Sequence, residues 1–231
     1  MKKIINLSFL AVMAISVAFV ACKKDSKKDE PKEKTGYVIE AKDVDGFSLN
    51  NIANVAAVDD LDIFEDNPAY IAKDKFQGAG FKLYLPFVLP DKDLHILFPD
   101  SLNIKYKYIE LIALDAKNKN IGLFSYSSDE VDKITTLVNF AYYDVNYQTK
   151  YSFSYVNSQG ITWHSETDCD YKKGWNIEYF TINYNTHENK TTTVSPAGIS
   201  YSWTFLPTNL PTSMQTPQEI YAKDLKMRMQ R

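Results

Sequence analysis

The stretch YSFSYVNSQGITWHSETDCD, residues 151–170, alternates aromatic with small polar residues and then changes direction at NSQG. Tyr151–Val156 and Ile161–Thr167 each have the period of two that is typical of a β-strand with two different faces. The residues of NSQG are of the types that favour turns. The stretch therefore predicts two antiparallel strands joined by a short loop, and the segments around it follow the same pattern.

Short β-prone segments recur along most of the chain, and turns separate them. This spacing predicts an all-β fold, an antiparallel β-sandwich, and not a parallel α/β sheet. The other predicted strands are 37–41, 47–57, 81–86, 104–114, 121–126, 140–147, 175–184, 191–194 and 199–206. Residues 128–137 predict a short helix or a loop. A capping box at Thr216–Glu219 predicts a C-terminal helix over Pro217–Met229.

The length of 231 residues predicts one domain or two small abutting ones. The β-sandwich body is expected over residues 37–206, with a possible division near residue 99. Residues 207–231 are expected to form a polar tail that contains the C-terminal helix.

The N-terminal residues have the three parts of a secretory signal. Lys2 and Lys3 supply positive charge, an apolar run extends from Ile4, and the small residue Ala21 precedes Cys22. We expect residues 1–21 to be a signal peptide that is removed by cleavage. We expect the thiol of Cys22 to carry a diacylglycerol lipid that anchors the protein. An uncleaved transmembrane helix or a plain signal peptide are the alternatives, because the apolar run is about as long as the shortest bilayer-spanning helix. The charged residues 22–36, which lack large apolar side chains after Cys22, are expected to be a flexible tether.

Phe19-Val20-Ala21-Cys22 resembles the lipobox of bacterial lipoproteins, with Phe where Leu is usual. The charged tract after Cys22, including Lys28-Asp29-Glu30, is similar to that of Bacteroidetes-type lipoproteins. GAGFKLYLP at 78–86 and YKKGWNIEYF at 171–180 resemble segments of the same group. The resemblance implies an acylated protein of the outer membrane, exposed on the cell exterior in some members. Most members have no assigned activity, so it supplies no catalytic residue.

Charge and cysteine content restrict the partners. The formal net charge is −3 and the chain has two cysteines. Nucleic acid is not an expected partner, because its phosphates require a basic surface. If Cys22 is acylated, Cys169 is left without an intrachain partner, and its acidic neighbours Asp168 and Asp170 disfavour a reactive thiolate. Cys169 is therefore expected to be structural.

His164, Glu166 and Asp168 are the weak candidates for ligand binding. They fall on one face of the predicted strand, where a metal or an acid–base pair is one interpretation and a solvated strand face is the favoured one. The acidic stretches DVDG at 43–46 and DDLDIFED at 59–66 are expected to be surface loops. No nucleophile elbow, phosphate loop or metal motif occurs in the sequence, so no catalytic residue, metal or cofactor is assigned.

Two aromatic rows remain to be explained. Tyr151, Phe153 and Tyr155 form one, and a second runs along 199–205 with Trp203 in it. Because Ser and Thr occupy the opposite positions, both rows are predicted to face the core, with a ligand platform as the alternative. The sequence favours a non-catalytic envelope protein that binds a glycan or a partner protein. The alternatives are a structural subunit of a surface assembly and a hydrolase whose site forms only in three dimensions.

Overall fold

The computed structural model describes residues 35–46, 48–63, 68–97, 103–157 and 159–208. These residues form mostly β-strands with two short 3-10 turns, and no α-helix occurs among them. No helix in this described part is long and apolar enough to cross a membrane. The predicted signal peptide, Cys22, nearly all of the tether and the helix over Pro217–Met229 lie outside the described residues, so that helix is not seen.

Fourteen strands make up the described body. They are β1 (Tyr37–Ala41), β2 (Asp45–Gly46), β3 (Asn54–Asp59), β4 (Tyr70–Gln77), β5 (Gly80–Leu85), β6 (His95–Ile96), β7 (Lys105–Leu114), β8 (Asn120–Ser128), β9 (Ile134–Tyr143), β10 (Tyr147–Val156), β11 (Thr162–Tyr171), β12 (Gly174–Asn183), β13 (Glu188–Thr192) and β14 (Tyr201–Pro207).

The strands pair in the order β1-β5-β4-β3-β7-β8-β9-β12-β13-β11-β10. Most neighbours are antiparallel, and the exceptions among the described strands are the parallel pairs β11–β13 and β2–β14. β14 pairs antiparallel with β8, and β7 also pairs with β9 beyond the point where it leaves β8. The antiparallel all-β character that the turn spacing predicts is confirmed.

The main hydrophobic core contains side chains from both sides of residue 99. Ile39 of β1 and Leu83 of β5 pack in the same cluster as Leu111 of β7, Phe124 of β8 and Trp203 of β14. Trp203 is 6% exposed. Because the strand period is two, alternate residues of these strands enter the core while their neighbours face outwards.

A buried carboxyl lies in a second, smaller core. The Tyr108 hydroxyl donates to Glu178 Oε1 at 2.5 Å and lies 3.3 Å from the Tyr143 hydroxyl. Burial raises the pKa of Glu178, and hydrogen bonds from Tyr108 and Tyr171 oppose that rise. The Tyr143 and Tyr171 rings stack beside it with centroids 4.0 Å apart. The hydroxyls thus satisfy a carboxyl that water does not reach.

Cys169 belongs to the same small core and is a buried free thiol. Burial raises its pKa, and the charges of Glu178 and Asp168 add to the rise. The structural role predicted for Cys169 agrees with this environment, because a thiol that stays protonated is a poor nucleophile.

The helix predicted as one alternative over residues 128–137 is wrong, and the loop predicted as the other covers only 129–133, because Ser128 ends β8 and residues 134–137 belong to β9. Strand β9 begins at Ile134, after a turn in which Asp132 and Lys133 have φ of 51° and 59°. Positive φ at both central residues defines the tight turn that suits a hairpin, but it is normally supplied by Asn-Gly or Asp-Gly. The structure forms this turn and pairs Val131 with Ile134 across it. The sequence gives no signal for the turn, because Asp132-Lys133 stands where Asn-Gly or Asp-Gly is usual.

The two aromatic rows have different environments. Trp203 and Phe205 of β14 are buried in the main core, which confirms the prediction for that row. The prediction for the other row is wrong, because Tyr151 is 51% exposed and Phe153 is 50% exposed. Strand β10 is the last strand of the pairing order, and Tyr151 and Phe153 lie half exposed on it.

Candidate functional site

A surface groove of about 930 Å³ lies on the strands at the β10 end of the pairing order. We call it the β10 groove. Its lining combines hydroxyl, amide and charged side chains with a few apolar ones. The lining residues are Ile134, Lys150, Tyr151, Ser152, Phe153, Ser154, His164, Ser165, Glu166, Thr181, Asn183, Glu188, Asn189 and Lys190.

Strand register brings most of the polar lining residues to one face. On β10 and β11, Ser154 lies opposite His164 and Ser152 lies opposite Glu166. On the other side of β11, Glu166 lies opposite Lys190 of β13. Since directly opposed residues share a face of the sheet, these side chains form one continuous polar surface.

The structure brings two of the three candidate residues into the groove. His164 and Glu166 line it, whereas Asp168 lies one register step beyond and binds Lys150, which does line it. His164 Nδ1 is 2.8 Å from Ser154 Oγ. Lys190 donates to Glu166 at 3.3 Å and Lys150 donates to Asp168 at 2.6 Å.

These contacts are exposed to solvent, so they contribute little to stability. They place opposite charges side by side on the groove surface. The same exposed side chains can also form hydrogen bonds with a ligand. The hydrogen bond from Lys150 to Asp168 raises the pKa of Lys150, which keeps that amine charged. The groove surface therefore presents both hydrogen-bond donors and acceptors, and its positive and negative side chains are equal in number.

The β10 aromatic strip, defined as Tyr151, Phe153 and Tyr155, follows the same strand on its other face. Neighbouring ring centroids are 6.1 and 6.0 Å apart. The Asn189 amide donates to the Tyr155 hydroxyl at 3.3 Å. Tyr151 and Phe153 are also among the residues that line the β10 groove, although their side chains alternate with Ser152 and Ser154 and so lie on the opposite face of the strand.

The sequence predicts a surface loop over 59–66, and this prediction is wrong for the first residue, Asp59. Asp59 ends β3 and is 5% exposed. Its Oδ2 accepts from Lys107 Nζ at 2.6 Å and lies 2.7 Å from His95 Nε2. Sequence analysis missed this cluster, because His95 and Lys107 lie 36 and 48 positions from Asp59 and only the pairing of β3, β6 and β7 joins the three residues.

The carboxyls around Asp59 have widely separated pKa values. Burial would raise the pKa of Asp59, but hydrogen bonds from Lys107 and its other neighbours lower it to about 2. Burial, together with the hydrogen bond and charge of Asp59, raises the pKa of Asp60 to about 8. Burial raises the pKa of Glu110 to about 7. The cluster thus combines one carboxyl with a lowered pKa and two with raised pKa values, and it lies apart from the residues of the β10 groove.

Metal-ligating side chains do not converge in the described residues. No group of three or more His, Cys, Asp or Glu side chains there has the arrangement needed to hold a metal ion. His164, Glu166 and Asp168 have amine and hydroxyl partners instead, and Asp59 binds groups on β6 and β7.

Comparison with protein families, with curated proteins and with solved structures finds no match to this chain. The class of protein must therefore be inferred from the fold and the groove.

Proposed function

We propose that this chain is a cell-envelope lipoprotein whose β-rich body binds a glycan or a partner protein without catalysis, and that a glycan is the ligand of the β10 groove. Cys22 would carry the acyl chains, residues 22–36 would act as the tether, and the body would stand at the outer membrane, facing the exterior. The N-terminal sequence supports the anchor. The groove supports the choice of ligand.

The observation that carries the proposal is the polar lining of the β10 groove, which also includes Tyr151 and Phe153 of the edge strand. Sugars present many hydroxyls together with apolar ring faces. The hydroxyls require donors and acceptors of both kinds, which Ser152, Ser154, His164 and Glu166 supply. The ring faces require exposed aromatic rings, which Tyr151 and Phe153 supply at half exposure. A balanced set of charges also disfavours a strongly anionic ligand.

We infer that the body is a β-sandwich. In support, the main core joins β1 and β5 with β7, β8 and β9, which lie on the far side of β3 in the pairing order, and with β14, which pairs with β8. Strands that are distant in this order and share one core are the arrangement expected of two sheets packed face to face. The groove strands β10, β11 and β13 contribute no residue to that core, which leaves their polar face open to a ligand.

A panel of immobilised glycans tests the proposed function. The wild-type chain should bind one or more glycans, and Tyr151→Ala should weaken that binding about tenfold, since stacking of this kind is worth roughly 1–2 kcal/mol. Phe87→Ala is the matched control, because Phe87 is an exposed aromatic residue outside the groove. Binding to no glycan, or equal loss in both variants, would contradict the proposal.

A further inference from the structure

We propose that strand β10 pairs, edge to edge and antiparallel, with β10 of a second copy of this chain, with Phe153 opposite Phe153 at the two-fold axis. The partner is a second copy because the strand is complementary to itself in this register.

The first support is the state of the β10 edge. Within the described part of the chain, β10 pairs with β11 and with no other strand. It is ten residues long, whereas β1, at the opposite end of the pairing order, has five. Natural proteins protect edge strands with proline, bulges or free charges. β10 contains no proline, its pairing with β11 is regular throughout, and its one charged residue, Lys150, is bound to Asp168 of the same copy.

The second support is the direction of the backbone groups. The Asn157 amide donates to the Ile161 carbonyl, in the same register that places Tyr155 opposite Trp163. Odd-numbered residues of β10 therefore direct their N–H and C=O groups to β11, and even-numbered residues direct theirs to the free edge. The outward groups in the middle of the strand belong to Ser152 and Ser154, whose small side chains leave the edge accessible.

The third support is the symmetry of the sequence TKYSFSYVN, residues 149–157, about Phe153. In the proposed register Ser152 lies opposite Ser154 of the second copy, and Tyr151 lies opposite its Tyr155. Each residue of the β10 aromatic strip then opposes an aromatic residue, which is a favourable cross-strand pairing. Lys150 opposes Val156, so no like charges meet. A two-fold axis also makes the contact closed, because each copy uses the same edge.

In the joined sheet the two β10 aromatic strips would form one surface of six rings on one face, and the two β10 grooves would lie side by side on the other face. The pairing does not depend on a glycan. A protein that dimerises and binds no glycan would contradict the proposed function alone, and a monomer that binds a glycan would contradict this inference alone.

Cysteine cross-linking of the full chain in its native envelope tests the register. At the axis, Phe153 of the two copies forms a pair without direct hydrogen bonds, where Cβ atoms come closest. Phe153→Cys should therefore form a disulfide-linked dimer under mild oxidation, seen as a doubled mass without reductant. Ser152→Cys is the matched control, because residue 152 opposes residue 154 and the two new thiols stand too far apart for a disulfide.

Proline substitution tests the edge independently. Ser152→Pro removes an outward N–H, so it leaves the pairing with β11 intact but removes two hydrogen bonds across the axis. It should weaken dimerisation of the purified full chain by roughly tenfold in sedimentation equilibrium, with an unchanged circular dichroism spectrum. Equal cross-linking of Phe153→Cys and Ser152→Cys would overturn the register. A monomeric wild type, or a dimer that Ser152→Pro leaves unchanged, would overturn the proposed interface.

Discussion

Replacement of Trp203 by alanine tests the organisation of the main core. Trp203 is 6% exposed and its ring contacts three others: Tyr126 at 4.6 Å, Phe81 at 5.3 Å and Phe140 at 6.2 Å between centroids. These neighbours lie on β8, β5 and β9, so one side chain joins distant strands. Truncation of a buried aromatic residue costs about 3–5 kcal/mol, and the three ring contacts favour the upper half of that range.

Such a loss would be a large part of the whole stability of the body, since domains of this size are stable by roughly 5–15 kcal/mol. Urea unfolding followed by circular dichroism measures it without relying on the tryptophan signal that the substitution changes. The chain from Lys34 to Arg231, which forms one unit, is the suitable sample.

Phe153→Ala is the matched control, because Phe153 is also an aromatic residue in a strand, but its side chain is half exposed. It should change the free energy of unfolding by less than about 1 kcal/mol. Trp203→Phe should fall between the two, since it keeps a ring in the cluster. Two results would refute the assignment of one aromatic row to the core and the other to the surface. One is a loss of stability below about 1 kcal/mol for Trp203→Ala, and the other is a loss for Phe153→Ala that equals the loss for Trp203→Ala.

Other predictions concern the buried carboxyls and the anchor. Because burial raises the pKa of Glu110 to about 7, the folded state holds a proton that the unfolded state releases near pH 4.5. Urea unfolding at pH 4.5 and 8 should therefore show stability falling with pH, with up to about 3 kcal/mol of the fall from Glu110 and a further part from Asp60, whose pKa is raised to about 8. Glu110→Gln should reduce that fall without abolishing it. A wild-type profile without any fall would contradict the burial of this carboxyl. Glu178→Gln should cost less than Glu178→Ala in the free energy of unfolding, because the amide oxygen can still accept from Tyr108; equal costs would contradict the hydrogen-bonded network. Cys22→Ser should move the protein out of the membrane fraction, or leave it as uncleaved precursor, and an unchanged fraction with no acyl mass on the wild type would contradict lipid anchoring.

Local patterns were sufficient to predict the hairpin of β10 and β11. In the connection between these strands the Asn157 side chain accepts from the amides of Gln159 and Ile161. The residue types that such a turn requires are present in the sequence, so the prediction follows from local chemistry.

Strand β4 and the start of β9 could not be predicted in the same way. Phe76 is the buried residue of β4, and the rest of YIAKDKFQ is charged or partly exposed, so the segment has no apolar face to recognise. It is a strand because β3 and β5 pair with it on both sides. In β9, Thr135 and Thr136 are buried polar residues, which a hydrophobic pattern does not detect. The pairing partners of each segment, and not its own sequence pattern, decided both.

The candidate site was predicted in part. Alternation placed His164 and Glu166 on one strand face, and that face is part of the groove. The exposure of Tyr151 and Phe153 was not predictable from alternation, because the same pattern describes a row that faces the core and a row at the uncovered end of a sheet. The Asp59 cluster depends on three separate strands and has no local signature.

Nuclear magnetic resonance titration of the ¹⁵N-labelled chain with a glycan selected from the panel tests the central claim most directly. If the β10 groove is the binding site, the changes in amide chemical shift should be concentrated at Ser152, Ser154, His164 and Glu166. The amides around Asp59, in the separate buried cluster, should show no comparable change. Saturable changes that are centred elsewhere, or no change at a glycan concentration that saturates the panel signal, would contradict the assignment of the groove as the ligand site.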